Sequence, residues 1–112
     1  MRALFIELPA FERHRSSYLD DEGFRRLQST LLADPECGDV IAATGGLRKM
    51  RFADVRRGKG KRGGLRIIYY WREVQSQVWL FALYDKDEVD DLSAKEKAVL
   101  RKRLADELES RR

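Results

Sequence analysis

The stretch LRIIYYWREVQSQVWLFALY, residues 65–84, carries the strongest strand signal in the chain. β-Branched and aromatic side chains dominate residues 65–74 and again residues 77–84. These residue types favour a pleated, half-buried strand. Gln75–Ser76, between the two runs, predicts a short turn. The stretch therefore predicts an antiparallel hairpin, around which the rest of a small sheet can assemble.

Further elements are predicted on both sides of this hairpin. On the N-terminal side they are a strand over 3–8, helices over 9–18 and 20–34, a loop over 34–46 and a strand over 47–52. On the C-terminal side, Ser93 and Glu96 have the spacing of a capping box and predict a helix to about Ser110. The predicted order is β-α-α-β-β-β-α, within a single domain of residues 1–112. We therefore expect an α+β domain whose mostly antiparallel, twisted sheet is packed by helices.

The charge of the chain is concentrated in its centre. The 112 residues include 23 basic and 19 acidic side chains, for a net charge of +4. Residues 47–72 carry ten Lys or Arg and one acidic residue, Asp54, which is a local balance of +9. The segments before and after it are each slightly acidic. A dense basic block of this kind predicts a polyanionic partner, most commonly nucleic acid.

Several classes of protein are excluded or disfavoured by composition. One cysteine, Cys37, and one histidine, His14, leave no disulfide framework and no cysteine- or histidine-rich metal site. The glycines of residues 58–64 are spaced GxGxxGG but precede a strand, so they do not predict a dinucleotide site. No apolar run approaches the roughly 20 residues that span a bilayer, and residues 1–10 lack the long apolar core of a signal peptide. We expect a cytoplasmic protein with no membrane association, no metal and no cofactor.

Basic and phenolic side chains recur at positions that a sheet would bring together. Lys49 and Arg51 alternate along one strand and therefore share a face. Arg66 begins the next strand, and Tyr84 and Lys86 close the last one. A groove lined by these side chains suits metal-free RNA cleavage, in which the 2′-hydroxyl attacks the adjacent phosphate. Cations stabilise the charge on the phosphate, and a lysine of lowered pKa or a tyrosine exchanges protons.

Ordinary structural roles compete with this interpretation. Arg66 is as well explained as a surface residue of a strand, and Lys49 and Arg51 as the solvated side of an edge strand. The aromatic residues of the hairpin, Tyr70 included, are more typical of packing than of base stacking. The acidic run over 85–91 is typical of a solvated loop.

Two segments of the chain resemble the RelE/HigB superfamily of toxins from bacterial type II toxin–antitoxin modules. They are TGGLRKMRFADVRRGKGKRGGLRIIYYW, residues 44–71, and LYDKDEVDDLSAKE, residues 83–96. The resemblance is strongest to the HigB-like branch, which includes phage-derived host-inhibition proteins. It implies a RelE-like fold and ribosome-dependent cleavage of mRNA without a metal. It also implies a cognate antitoxin with a helix-turn-helix DNA-binding domain, and the 70S ribosome with its mRNA as partners.

The resemblance also implies roles for individual residues. The positions matched to catalytic residues are Arg66, Lys49, Arg51, Lys86 and Tyr84. The residues expected to bind RNA are Arg48, Arg56, Arg57, Lys59, Lys61, Arg62 and Tyr70. The chain departs from the family pattern after Lys86, where Asp87 replaces an arginine common in relatives. Its C-terminal helix also contains neither the tyrosine nor the histidine that some members use.

Two other functions are compatible with the same residues. A ParE-type inhibitor of DNA gyrase shares this scaffold without being an enzyme, so the fold does not decide between them. A nucleic-acid-binding phage regulator would use the basic segment for salt-dependent binding without turnover.

Overall fold

A five-stranded mixed sheet with helices on both faces organises the chain. The computed structural model describes residues 2–53, 64–87 and 91–111. The strands are β1 (Leu4–Glu7), β2 (Asp39–Val40), β3 (Arg48–Phe52), β4 (Leu65–Arg72) and β5 (Gln77–Asp85). The helices are α1 (Pro9–Tyr18), α2 (Asp21–Ala33) and α3 (Ala94–Ser110). The predicted α+β class and element order are confirmed, with β2 as one addition inside the predicted loop.

The sheet has the strand order β1-β5-β4-β3-β2. β3, β4 and β5 form the predicted antiparallel meander, whereas β1 pairs in parallel with β5. The prediction that the strand beginning at Leu65, the third in the predicted order, reaches Val74 is wrong. β4 ends at Arg72, because the chain reverses through a 3₁₀ turn over Glu73–Gln75 and then through Ser76, whose φ is 51°. The turn is therefore longer than the two residues that the sequence predicts.

Local signals explain where the helices begin. Pro9 occupies the first turn of α1, where a missing N–H costs nothing. The Asp20 carboxylate accepts a 2.7 Å hydrogen bond from the backbone of Gly23 at the start of α2. Ser93 and Glu96 form the predicted capping box of α3, with reciprocal bonds of 3.1 and 2.9 Å. None of the helices in residues 2–53, 64–87 and 91–111 is long and apolar enough to cross a bilayer.

Two hydrophobic cores lie on opposite faces of the sheet. On one face, Phe11 of α1 and Leu27 of α2 pack against Ile67 and its neighbours. On the other face, Leu104 of α3 packs against Ile68 and Trp79. Each fully buried aliphatic or aromatic side chain stabilises the fold by about 1.5–3 kcal/mol. α3 thus packs on the face of the sheet opposite to α1 and α2.

A bulge in β5 sets which side chains face α3. Ile68 pairs with Ala82 but Tyr69 pairs with Leu80, so Phe81 is an extra residue. Without the extra residue, Trp79 and Tyr84 would point to opposite faces, since their numbers differ by five. With it, both side chains belong to the α3 side of the sheet. The bulge thus places Tyr84 opposite Arg66.

The buried Tyr69 hydroxyl holds the segment that leads into β2. It donates a 2.7 Å hydrogen bond to the carbonyl of Pro35 and accepts one of 2.9 Å from the N–H of Gly38. Gly38 is tightly enclosed, since a Cβ there would lie 2.9 Å from the Tyr69 ring and 3.0 Å from the backbone of Lys49. This contact fixes the chain beside the strand that carries Lys49.

Replacing Tyr69 with Phe is expected to lower the free energy of unfolding by about 1–3 kcal/mol, because the buried Gly38 N–H loses its acceptor. Urea unfolding measures the change. Tyr70→Phe is the matched control, since Tyr70 is only half-buried, and its effect is expected to stay within about 0.5 kcal/mol. Equal losses in the two variants would show that the hydrogen bonds of Tyr69 do not stabilise this segment.

Candidate active site

Three predicted functional residues form one row across three strands. Arg51 of β3 lies directly opposite Arg66 of β4, which lies directly opposite Tyr84 of β5. Directly opposite residues project from the same face of a sheet. Lys49 lies two positions along β3 on this face, opposite Ile68. The structure therefore brings together four of the five residues assigned to catalysis, on the face of the sheet that α3 packs against.

Arg66 is the most enclosed charge of this row, with 5% of its surface exposed. Its Nη1 donates a 3.2 Å hydrogen bond to the carbonyl of Leu65. Burial lowers the pKa of Arg66, and the positive charge of Arg51 lowers it further, while Tyr84 opposes the shift. An arginine keeps its proton at neutral pH under such influences. The result is a fixed cation beside a second guanidinium, an arrangement that an oxyanion stabilises.

Tyr84 is half-buried and keeps its proton. Burial raises the pKa of Tyr84, and the negative charges of Asp91 and Glu96 raise it further, against the opposing effect of Arg66. The phenol is therefore a proton donor at neutral pH rather than a base. The raised pKa of Tyr84 therefore favours the role of a general acid over that of a general base, two roles that the sequence leaves open for a tyrosine.

Lys49 is paired with a carboxylate that the sequence assigns to a solvated loop. Its ammonium lies 3.5 Å from Oδ1 of Asp91. A hydrogen bond from the backbone of Leu92, and then the charge of Lys49, lower the pKa of Asp91, so the carboxylate is ionised. Asp91 precedes the N-cap of α3 by two residues, and the capping box fixes that position. A strand and a helix end thus meet at this ion pair.

A cleft of about 1260 Å³ borders this group along β3 and the start of α3. Its charged lining side chains are Glu22, Arg25, Arg26, Asp39, Lys49, Arg51, Asp91 and Lys97. Cations outnumber acids in this lining, five to three. The Arg51–Arg66–Tyr84 row meets the cleft at Arg51. Lys97 joins the cleft from α3, and it is not among the site residues predicted from the sequence.

The remaining predicted residues are not brought into this group. Arg48 lies on the other face, opposite Tyr69, and its guanidinium bonds the carbonyl of Gly38 at 2.8 Å and the carboxylate of Glu36 at 3.2 Å. Tyr70 packs against the Trp79 ring, with 5.4 Å between centroids. Lys86 follows β5 and is exposed. Arg56, Arg57, Lys59, Lys61 and Arg62 lie outside the described residues.

No family model matches the sequence. Among solved structures, a double arginine-to-alanine mutant of the E. coli toxin RelE in the free state is similar, with a TM-score of 0.54. The match covers 90% of this chain and 98% of that chain, at 14% sequence identity. The chain has the RelE fold. The RelE fold confirms the architecture that the sequence resemblance implies, and within it the Arg51–Arg66–Tyr84 row lies on the central strands.

No group of three or more histidine, cysteine or carboxylate side chains that could hold a metal ion occurs among residues 2–53, 64–87 and 91–111. What the site does offer is anion binding and proton donation. Two guanidinium groups, one ammonium and one protonated phenol lie on one face of three neighbouring strands, and Lys49 and Arg51 among them line the cleft.

Proposed function

We propose that the protein is the toxin of a type II toxin–antitoxin module, of the HigB-like branch, and cleaves mRNA on the ribosome. The observation that carries the proposal is the Arg51–Arg66–Tyr84 row, in which two arginines and a protonated tyrosine are cross-strand neighbours. The sequence resemblance and the RelE fold support the same function. The cognate antitoxin and the 70S ribosome are the proposed partners, and the cytoplasm is the proposed location.

The proposed reaction is an in-line transesterification that needs no metal. The 2′-hydroxyl gives its proton to a solvent water, its oxygen forms a bond to the adjacent phosphorus, and the bond from phosphorus to the 5′-oxygen breaks. Arg66 and Arg51 stabilise the extra charge on the non-bridging oxygens. Tyr84 donates its proton to the leaving 5′-oxygen. Lys49 binds the phosphate beside them.

Mapping of 5′ ends on a defined mRNA tests this function. The protein is added to programmed ribosomes and, separately, to the same RNA without ribosomes. Cuts are expected only on ribosomes, with 5′-hydroxyl and 2′,3′-cyclic phosphate ends. A 2′-deoxy substitution at the cut position is expected to abolish cleavage there. Intact mRNA in both formats, together with inhibited supercoiling by DNA gyrase, would replace the proposal with the ParE-type function.

Replacing Asp91 with Asn is expected to tighten binding of a non-cleavable RNA. The substitution removes the carboxylate that competes with phosphate for Lys49. Because the Asp91 side chain is 72% exposed, the gain is small, no more than about fivefold, in keeping with the roughly 0–1 kcal/mol of surface ion pairs. Fluorescence anisotropy with a 2′-deoxy-substituted oligonucleotide measures it. Glu12→Gln, at an exposed position of α1 that does not line the cleft, is the control for the change in net charge, and equal gains in both variants would contradict the competition.

A further inference from the structure

A second groove lies between α3 and the turn that contains Ala43. It has a volume of about 570 Å³. Its lining residues are Ala43, Ala94, Lys97, Ala98, Arg101, Lys102 and Ala105, and we call it the α3 groove. Among the residues that the structure describes, every charged side chain in this lining is a cation, and the others are alanines. A narrow floor of methyl groups between cations lets an extended backbone approach the helix closely.

The α3 groove is continuous with the candidate active site. Lys97 lines both the α3 groove and the larger cleft that contains Lys49 and Arg51. Its charge also reaches Asp91, whose pKa it helps to lower. A chain bound in the active site can therefore pass along Lys97 into the α3 groove without leaving a cationic surface.

Both walls of the groove are held in place. On one side, the capping box fixes the first turn of α3. On the other, the buried Thr44 hydroxyl donates a 2.7 Å bond to the carbonyl of Ile41 and accepts one of 3.2 Å from the N–H of Leu47. Ala43 is held at φ 65°, a left-handed conformation that a residue with a Cβ adopts only when its surroundings impose it. The groove is thus formed before any ligand arrives.

The cations of the groove are available to a ligand. Arg101 forms no ion pair within residues 2–53, 64–87 and 91–111. Lys102 pairs with Asp106 at 3.2 Å, but both side chains are mostly exposed and the pair is weak. Lys97 and Arg101 stand one helical turn apart, about 6 Å along the axis. Neighbouring phosphates of an extended single strand have a comparable separation.

We propose that the α3 groove is a second binding site for the sugar–phosphate backbone of the RNA that occupies the active site. Lys97 contacts a phosphate at the junction, and Arg101 contacts the next one along the strand. The site is independent of base sequence, because it offers cations and methyl groups only. It rests on the proposed function in one respect, which is that single-stranded RNA is the substrate.

Two double variants with the same change in net charge test the groove. One is Lys97→Ala with Arg101→Ala, and the control is Lys95→Ala with Arg103→Ala on exposed positions of the same helix outside the groove. The probe is a single-stranded RNA of about twelve nucleotides with 2′-deoxy substitutions that block cleavage. Its Kd is measured by fluorescence anisotropy across a salt series for the wild type and both variants.

The groove variant is expected to reduce the salt slope of log Kd by about 1.4, since each phosphate contact on a single strand contributes about 0.7. At 0.1 M salt this corresponds to roughly 25-fold weaker binding. A probe of three nucleotides, too short to reach Arg101, is expected to lose only the contact with Lys97. Equal slopes for the two variants would overturn the groove, even where the wild type cleaves mRNA. Absence of RNA binding by the wild type would overturn the groove alone, because the proposed cleavage is expected only on ribosomes and is tested there separately.

Discussion

Replacing Arg66 with Ala is expected to slow ribosome-dependent cleavage by about 10²–10³-fold, the range seen when one preorganised donor to a developing oxyanion is removed. Arg66 is the buried member of the Arg51–Arg66–Tyr84 row, so its guanidinium is held in place by the residues around it. The loss falls on the chemical step, because the extra charge on the phosphate appears only in the transition state. Single-turnover kinetics on programmed ribosomes separate this step from binding.

The conservative variant Arg66→Lys sharpens the interpretation. It keeps the charge but loses the planar fork that bonds two phosphate oxygens, so an intermediate loss is expected. Arg72→Ala is the matched control, since Arg72 lies on the same strand but at its far end, 5.2 Å from the Trp79 ring centroid. Circular dichroism and urea unfolding confirm that each variant is folded. Full toxicity and full cleavage by Arg66→Ala would show that the site is assigned to the wrong residues.

Strand alternation accounts for the one placement that the sequence predicts correctly, the shared face of Lys49 and Arg51. Lys49 and Arg51 share a face because β3 is regular, and Arg66 joins them because the register of β4 is unbroken from Leu65 to Ile68. Each of these placements depends on the period of two within a short strand. The alternation of residues in the sequence is sufficient to predict the face of each side chain where the strand contains no bulge.

The position of Tyr84 relative to Trp79 could not be derived in the same way. Phe81 has the side chain of an ordinary strand residue, and nothing in its neighbourhood marks it as the extra residue of a bulge. Strict alternation from Trp79 would place Tyr84 on the α1–α2 side of the sheet. The bulge arises from pairing with β4, which is a tertiary property.

The residues that sequence reasoning missed depend on contacts between distant segments. Asp91 meets Lys49 only because α3 packs across the sheet, and the same packing directs Lys97 to the cleft. β2 has two residues and no strand pattern of its own, yet it pairs with β3 because Tyr69 fixes the segment before it. In each case the deciding interaction joins residues that are far apart in the chain.

Replacing Tyr84 with Phe is expected to lower kcat by about 10²–10⁴-fold, the usual contribution of a positioned general acid, with a much smaller change in KM. The phenol is assigned to proton donation because burial and the charge of Asp91 raise the pKa of Tyr84. In the wild type, the loss of activity that follows from its ionisation is therefore expected above the usual tyrosine value of about 10. Tyr18→Phe on α1, on the opposite face of the sheet, is the control.

A substrate with sulfur in place of the leaving 5′-oxygen separates proton donation from a structural role. A thiolate leaves without protonation, so the defect of Tyr84→Phe is expected to disappear on this substrate, while that of Arg66→Ala persists. The two variants thus distinguish charge stabilisation at the phosphate from protonation of the leaving group. A defect of Tyr84→Phe that is equally large on both substrates would assign the Tyr84 hydroxyl to positioning instead. If the hydroxyl acted as an acid, a leaving group that needs no proton would remove the defect.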